Sequence, residues 1–351
     1  MAVKPFQVAL TADFFGADGR PCYRDLGLGV FDEHPRIACR PFAEHRPEID
    51  SDQIAHANAV IVLTPRVTAT SVSSSSELLV IARFGVGYDS VDVAACTAAD
   101  VALLIAAGAV DRSVAEATLG WMLALTHQVR AKDRLLREGR WAERNNYMGR
   151  ELRERVLGVI GLGGIGRELV RLTAGFGMKT PLAFDPLISA TDAQKLGVRS
   201  VRLNELLATS DFVSIHCPLT EGTRNLIGPR ELGLMKPDAY LINTARGGIV
   251  DEDALYDVLK QRRIAGAALD CFAEEPVTSP HRFGEFDNVL LAPHCIAWTD
   301  ELFRDIGRTV CQGIVALSRG TRPDRGIVNP EVFDRPGFRD KWARLKLGDV
   351  R

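Results

Sequence analysis

The sequence predicts an α/β protein made of two doubly wound parallel-sheet domains, on three observations. Short apolar runs end in turn residues along the whole chain, stretches of helical periodicity separate them, and the runs fall into two series divided by a marked helix. At 351 residues and 46% hydrophobic content the chain is long enough to bury two cores. The first series of strands is expected at residues 6–12, 36–42, 59–63, 78–82 and 101–105, and the second at 156–160, 182–185, 211–216, 239–243, 265–270 and 289–292.

Between the series, Ser113 followed three residues later by Glu116 reads as a capping box opening a helix. Apolar residues on nearly every side predict that this helix is buried. After the last strand, Thr299 is placed to cap a helix with Leu302, Phe303, Ile306, Val310, Ile314 and Leu317 on one stripe. The tail from Gly320, with Pro323, Pro330 and Pro336, reads as extended chain with a short basic helix around 341–346. The serine cluster at 71–76 is a turn or helix start, too brief for a linker.

Composition excludes several partners. Lys+Arg at 43 against Asp+Glu at 45 leaves a net charge of −2, so no whole-molecule field favours nucleic acid or an anionic membrane. The longest apolar stretch, 114–125, is broken by Glu116 and falls short of the roughly 20 residues that span a bilayer. The first ten residues show no secretory leader. A soluble cytoplasmic protein with small, freely diffusing partners is expected. The seven cysteines, at 22, 39, 96, 217, 271, 295 and 311, form no C-x-x-C pair and are expected reduced. No Cys/His cluster has zinc-ligand spacing, so no metal is expected.

The strand at 156–160 runs into Gly161-Leu162-Gly163-Gly164-Ile165-Gly166 and then into helical periodicity, which is G-x-G-x-x-G in its strand–turn–helix context. Gly161 permits the tight turn, Gly163 lets the backbone approach a pyrophosphate, and Gly166 allows helix and strand to pack closely. Free amides at the helix start hold the anion. Asp185 closes the next strand, where an acid can accept both ribose hydroxyls of an adenosine. A carboxylate there repels a 2′-phosphate, so NAD is expected over NADP.

Ligands of open parallel sheets bind beyond the carboxyl ends of the strands, which makes those ends the place to look for chemistry. In the second series they read His216-Cys217-Pro218, then Thr244-Ala245-Arg246-Gly247-Gly248, then Cys271 through Pro276, then Pro293-His294. A base, an acid and a fixed cation thus fall on one rim. Hydride transfer at a hydroxy-acid carbon needs a base for the hydroxyl proton, a cation for the carboxylate and carbonyl oxygen, and a group that tunes the base. Histidine suits the first task, arginine with its planar fork the second, and a carboxylate beside the imidazole the third.

With these residues in view, the sequence resembles the D-isomer-specific 2-hydroxy-acid dehydrogenases, the group that includes phosphoglycerate dehydrogenases, over roughly 60–317. The run from Ala82 to Asp89 is similar to the family's substrate loop, Asn243 to Asp251 to its arginine motif, Ala268 to Pro276 to its acid motif, and Pro293-His294 to its histidine motif. The resemblance implies a Rossmann NAD-binding domain, 111–295, inserted into a flavodoxin-like substrate domain, 1–110 and 296–351. It implies Arg246, Glu275 and His294 as catalytic residues, with Glu274 as the alternative acid, and the Val86 and Gly87 amides as carboxylate ligands. Cofactor contacts are implied at Thr118, Ile165, Thr223, Thr244, Ala245 and Asp270, the last at the nicotinamide carboxamide, and at the wall formed by His216, Cys217 and Pro218. His34, His45, His56, His127 and His281 have no matched partner and are expected to be structural.

Substrate is expected in a cleft between the domains, and a homodimer around the cofactor domain and the Ser113 helix is implied. The resemblance has departures. Trp298 follows the histidine motif where small residues are common, so it either walls the substrate pocket or belongs to the core. Ile105-Ala106-Ala107-Gly108 lacks a polar residue that many members carry, and Thr64, with Arg66 nearby, stands where some carry a substrate-binding arginine. The expected activity is NAD-dependent hydride transfer at C2 of a small D-2-hydroxy or 2-keto acid. An NADPH-linked glyoxylate/hydroxypyruvate reductase and an NAD-sensing co-repressor-like protein on the same fold are the alternatives.

Overall fold

The computed structural model describes residues 5–73 and 76–346, so Ser74 and Ser75 of the serine cluster and the first four residues lie outside it. The chain forms two compact units, Met1–Val110 with Thr299–Arg351, and Asp111–Trp298.

The first unit is built on β1 (Phe6–Leu10), β2 (Ile37–Pro41), β3 (Ala59–Val62), β4 (Val80–Arg83) and β5 (Ala102–Ile105). All pairs are parallel, in the order β2-β1-β3-β4-β5, so the connections reverse direction between β1 and β3. β3 is buried at every position, as a central strand covered on both faces requires. The helix Asp300–Ser318 covers this sheet with the predicted stripe. Thr299 caps it, its Oγ1 accepting the Leu302 amide at 3.0 Å.

The tail differs from extended chain with a short basic helix around 341–346. Its helix runs Pro336–Leu345, with proline in the first turn, and Lys341 is buried rather than exposed. The Lys341 Nζ donates to the carbonyls of Leu78, Ala99 and Asp100 at 2.9, 3.0 and 2.8 Å, which docks the tail on the sheet. Burial pushes this amine down to about 8.

The second unit contains β6 (Leu157–Ile160), β7 (Leu182–Phe184), β8 (Arg199–Ser200), β9 (Phe212–Ile215), β10 (Tyr240–Asn243), β11 (Gly266–Leu269) and β12 (Val289–Leu291). They form one parallel sheet, ordered β12-β11-β10-β9-β6-β7-β8, with its reversal between β6 and β9. Every strand expected from the sequence is present, shorter by one or two residues. β8 was not legible, being a two-residue edge strand with both residues exposed.

The dividing helix runs Asp111–Thr126, two residues ahead of the predicted start. Ser113 therefore lies inside the first turn and is not the cap. Glu116 pairs instead with Arg112 one turn earlier, Arg112 Nε lying 2.9 Å from Glu116 Oε2. Ala115, Trp121, Met122 and Leu125 pack with Leu157, Val159, Leu162 and Leu169, so one face is buried while much of the rest is half-exposed. No described helix is long and apolar enough to cross a membrane.

Candidate active site

The glycine loop lies between β6 and the helix Gly164–Thr173. Gly161 has φ +93°, and a Cβ there would lie 2.7 Å from the Cys217 amide nitrogen. A Cβ on Gly166 would meet the Gly161 carbonyl oxygen at 2.4 Å, so this glycine sets the approach of helix to strand. A Cβ added at Gly163 would meet nothing within 4 Å, so that side of its backbone is open to an incoming group. Ile165, half-buried, packs behind the loop. Asp185 stands just past β7, its Oδ2 accepting the Leu162 amide and its Oδ1 the Leu187 amide, both at 2.8 Å. A carboxylate is thereby held beside the loop by the backbone, and the arrangement fits the pyrophosphate and adenosine ribose of a dinucleotide.

Three neighbouring strands supply the reactive rim. Past β10, Asn243 is 2% exposed and braces the arginine loop from both sides. Its Oδ1 accepts the Ala245 amide at 3.1 Å and its Nδ2 donates to the Arg246 carbonyl at 2.8 Å. The Arg246 guanidinium donates to the Ala245 carbonyl at 2.6 Å. Thr244 Oγ1 lies 3.3 Å from Thr118 Oγ1, so two residues expected at the cofactor do meet. Gly247 packs against the acid loop so closely that a Cβ would fall 1.8 Å from the Phe272 carbonyl oxygen.

Past β11, Glu275 reaches back over its own loop. Its Oε1 accepts the Phe272 amide at 2.8 Å and its Oε2 lies 2.7 Å from His294 Nδ1. Glu274 is exposed and makes no such contact among the described residues. Burial pushes the Glu275 carboxyl up, but the hydrogen bonds from His294 and Phe272 and the positive charges of His294 and Arg246 outweigh it. The group is held below the usual carboxylate range.

Past β12, His294 adopts φ +54°, a left-handed conformation uncommon for a residue with a side chain. Asp270 imposes it. Its carbonyl accepts the His294 amide at 2.8 Å, and its Oδ1 accepts the amides of Cys295 and Ile296 at 2.9 and 3.1 Å. Burial drives the Asp270 carboxyl up to about 6 against those two bonds.

Some expected residues serve their own loops. Thr223 Oγ1 donates to the Pro218 carbonyl at 2.6 Å and accepts the Thr220 amide at 2.7 Å, shaping the turn past β9. His216 shares a 2.8 Å hydrogen bond between its Nε2 and Ser214 Oγ, and its buried Nδ1 has no partner among the described residues. Burial pushes this imidazole down to about 4, so it is neutral near pH 7. Cys217 beside it is pushed up to about 11 by burial. Trp298 is 53% exposed, which removes the core alternative.

In the first unit, Val86 and Gly87 lie in the loop past β4, half-buried, and their amides donate to no backbone carbonyl among the described residues. Arg66 is committed to Glu48, at 2.9 Å.

Sequence reasoning missed Glu252 and His281. The Ala273 amide donates to Glu252 Oε1 at 2.6 Å, and Glu252 Oε2 lies 3.7 Å from His281 Nε2, so His281 has a partner after all. Its ring lies tilted against Phe272, with centroids 4.5 Å apart, and stacks on Phe283 at 5.1 Å. Both residues brace the acid loop, Glu252 from 21 positions away, and no spacing signals that. Cys271, Glu275 and His294 also place ligand atoms within 4.8 Å of one another, a grouping that linear cysteine and histidine spacing could not show.

Residues 119–295, the stretch that holds this rim, match the NAD binding domain of the D-isomer specific 2-hydroxyacid dehydrogenases. The chain belongs to that family. It is 34% identical over 321 residues to a glyoxylate reductase of Korarchaeum cryptofilum, spanning 90% of this chain and 96% of that one. It is 37% identical over 298 residues to the D-3-phosphoglycerate dehydrogenase of Archaeoglobus fulgidus, spanning 85% of this chain but only 56% of the relative. The chain thus spans about half the length of the phosphoglycerate dehydrogenases it matches. Among solved structures it resembles a D-lactate dehydrogenase from Aquifex aeolicus complexed with NAD and lactic acid. The TM-score is 0.75 at 26% identity, covering 89% of this chain and 96% of that one. The family's cofactor, NAD, suits the glycine loop described above.

Proposed function

We propose that the protein is an NAD-dependent dehydrogenase that interconverts a small D-2-hydroxy acid and its 2-keto acid. The observation that carries this reading is the 2.7 Å pairing of His294 with Glu275, on loops locked to that of Arg246. When bound, NAD accepts or donates the hydride at its nicotinamide ring. In oxidation, His294 takes the hydroxyl proton at its Nε2, because Nδ1 is held by Glu275. In reduction the imidazolium returns the proton to the new alkoxide, and the Glu275 carboxylate stabilises it until then. Arg246 holds carboxylate and carbonyl oxygen with its fork. The roles of Val86 and Gly87 at the carboxylate rest on the resemblance of their segment, and that of Trp298 as a substrate wall rests on its place just past His294 and on its exposure.

Asp185 favours NAD over NADP, since a fixed carboxylate opposes a 2′-phosphate. A homodimer fits the second unit, which exposes Val129, Leu136, Trp141 and Met148 within one short stretch. A cytoplasmic setting fits seven cysteines that are all unpaired.

A turnover screen of small 2-keto acids with NADH and NADPH tests the reading. At least one keto acid should be reduced, with the higher kcat/KM for NADH. A preference for NADPH would remove the role given to Asp185. Absence of turnover with every keto acid would remove the enzymatic reading.

A further inference from the structure

We propose that Asp13 is a specificity-determining residue that selects 2-keto acids bearing a hydroxyl beyond C2 and rejects those bearing a phosphate. The inference deepens the reading above and rests on it, taking the Val86 and Gly87 amides as the carboxylate site.

β1, β3 and β4 are adjacent in the first sheet, so the segments leaving their carboxyl ends share one rim. Asp13 lies past β1, Thr64 past β3, and the Val86–Gly87 loop past β4. Asp13 Oδ2 accepts the Thr64 amide at 2.8 Å and the Thr64 hydroxyl as well. Phe14, the next residue, sets its ring edge-on to Phe84 at 4.9 Å, which joins the Asp13 segment to the carboxylate loop. Tyr23 stacks on Phe303 at 3.9 Å, and Phe303 lies 6.0 Å from Phe84. Burial, and behind it the charges of Cys22 and Asp13, push the Tyr23 phenol up, which puts Tyr23 in the field of Asp13.

The Oδ1 of Asp13 is buried with no hydrogen-bond partner among the described residues. Buried polar atoms in folded proteins are nearly always satisfied, so an orphan beside a binding loop points to a donor that arrives with the ligand. A carboxylate can only accept. The group it takes must therefore carry a hydrogen, as a hydroxyl does, and an anionic phosphate is repelled. Of the arginines near this rim, Arg66 is paired with Glu48, and one Arg83 nitrogen donates to the Phe84 carbonyl. Thr64 stands where a cation would be needed to hold a phosphate, and its hydroxyl and amide are both spent on Asp13.

The test measures kcat/KM with NADH for hydroxypyruvate, pyruvate and 3-phosphohydroxypyruvate in the wild type, Asp13→Ala and Asp13→Asn. In the wild type, hydroxypyruvate should exceed pyruvate about tenfold or more, and the phosphorylated acid should be poorest. Asp13→Ala should bring hydroxypyruvate and pyruvate to within about twofold of each other. Asp13→Asn keeps an acceptor for Thr64 and removes the charge, so it should fold and should raise turnover of the phosphorylated acid about tenfold. The KM for NADH should not move. A ranking unchanged in both variants, or a wild-type preference for the phosphorylated acid, overturns the proposal and leaves the dehydrogenase reading standing. No reduction of any keto acid, with no binding of D-glycerate or D-lactate by calorimetry, overturns both.

Discussion

The two units share an architecture and divide the work differently. In both, the functional segments leave the carboxyl ends of parallel strands. The rim of the Asp111–Trp298 unit presents Arg246, Glu275 and His294, each held by backbone contacts: Asn243 on the arginine loop, the Phe272 amide on Glu275, Asp270 on the His294 loop. The rim of the other unit carries the Val86–Gly87 loop and Asp13, whose Oδ1 has no hydrogen-bond partner among the described residues. On the reading proposed above, the chemistry common to every 2-keto acid falls to Arg246, Glu275 and His294, and discrimination among acids falls to Asp13, a residue type that turns use everywhere.

The largest effect that follows from this division is that of His294→Ala. Removing the proton carrier should lower kcat by about 10²–10⁴ for every keto acid alike, since it acts at C2 and not at the variable end. Steady-state rates on a panel of keto acids measure this. The wild-type order of preference should survive at the lower level. If the order is scrambled, the division between reaction rim and recognition rim fails.

That division also explains what was legible in the sequence. Arginine, acid and histidine at strand ends are informative because each is costly to place there without a task, and the structure brings Glu275 and His294 together. The glycine loop was legible because Gly161 and Gly166 have steric reasons to be there and the space beside Gly163 is open. Eleven strands could be read from apolar runs bounded by turns. β8 could not, since two exposed edge residues carry no pattern. The start of the Asp111–Thr126 helix was misplaced because a capping box is a local signal, and an Arg112–Glu116 pair one turn earlier competes for the same glutamate. Asp13, Glu252 and His281 were illegible for a common reason. Each acts through a partner 21 or more positions away, and only the fold makes them neighbours.

A smaller effect tests how firmly the reaction rim is built. Gly247→Ala leaves all three reactive side chains in place but forces a methyl group to within 1.8 Å of the Phe272 carbonyl oxygen unless the loops part. The acid loop must shift, and Glu275 with it. A loss in kcat of about tenfold to a hundredfold is expected, since misplacement by about 1 Å is enough for that. Melting temperature should fall by several degrees, as a core clash of roughly 1–3 kcal/mol implies. Rates and thermal melts on the same preparation check both. A variant with wild-type kcat would show that the arginine and acid loops need not be locked together.

The smallest effect is electrostatic and concerns Glu275→Gln, which keeps the shape of the side chain and its acceptor for the Phe272 amide while removing the charge. His294 Nδ1 lies 2.7 Å from Glu275 Oε2, so the variant withdraws a carboxylate that stabilises a proton carried on that ring. Reduction draws on the protonated ring, and kcat/KM for that direction falls as pH rises and the proton is lost. In the variant this fall should come at lower pH, and oxidation should gain rate from lower pH upward. Glu274→Gln should leave both profiles where they are. Stability carries its own signature. A carboxyl whose folded value is depressed contributes stability above its unfolded value, about 4.3, and loses it as pH falls through the folded value. The melting-temperature deficit of Glu275→Gln should therefore be present at neutral pH, be no more than a few degrees, and close as the solution is taken below about pH 4. A deficit that stays constant down to pH 3 would mean that packing, and not the charge shared with His294, is what the variant lost. Unmoved rate profiles would detach Glu275 from the proton transfer and leave the reaction rim with Arg246 and His294 alone.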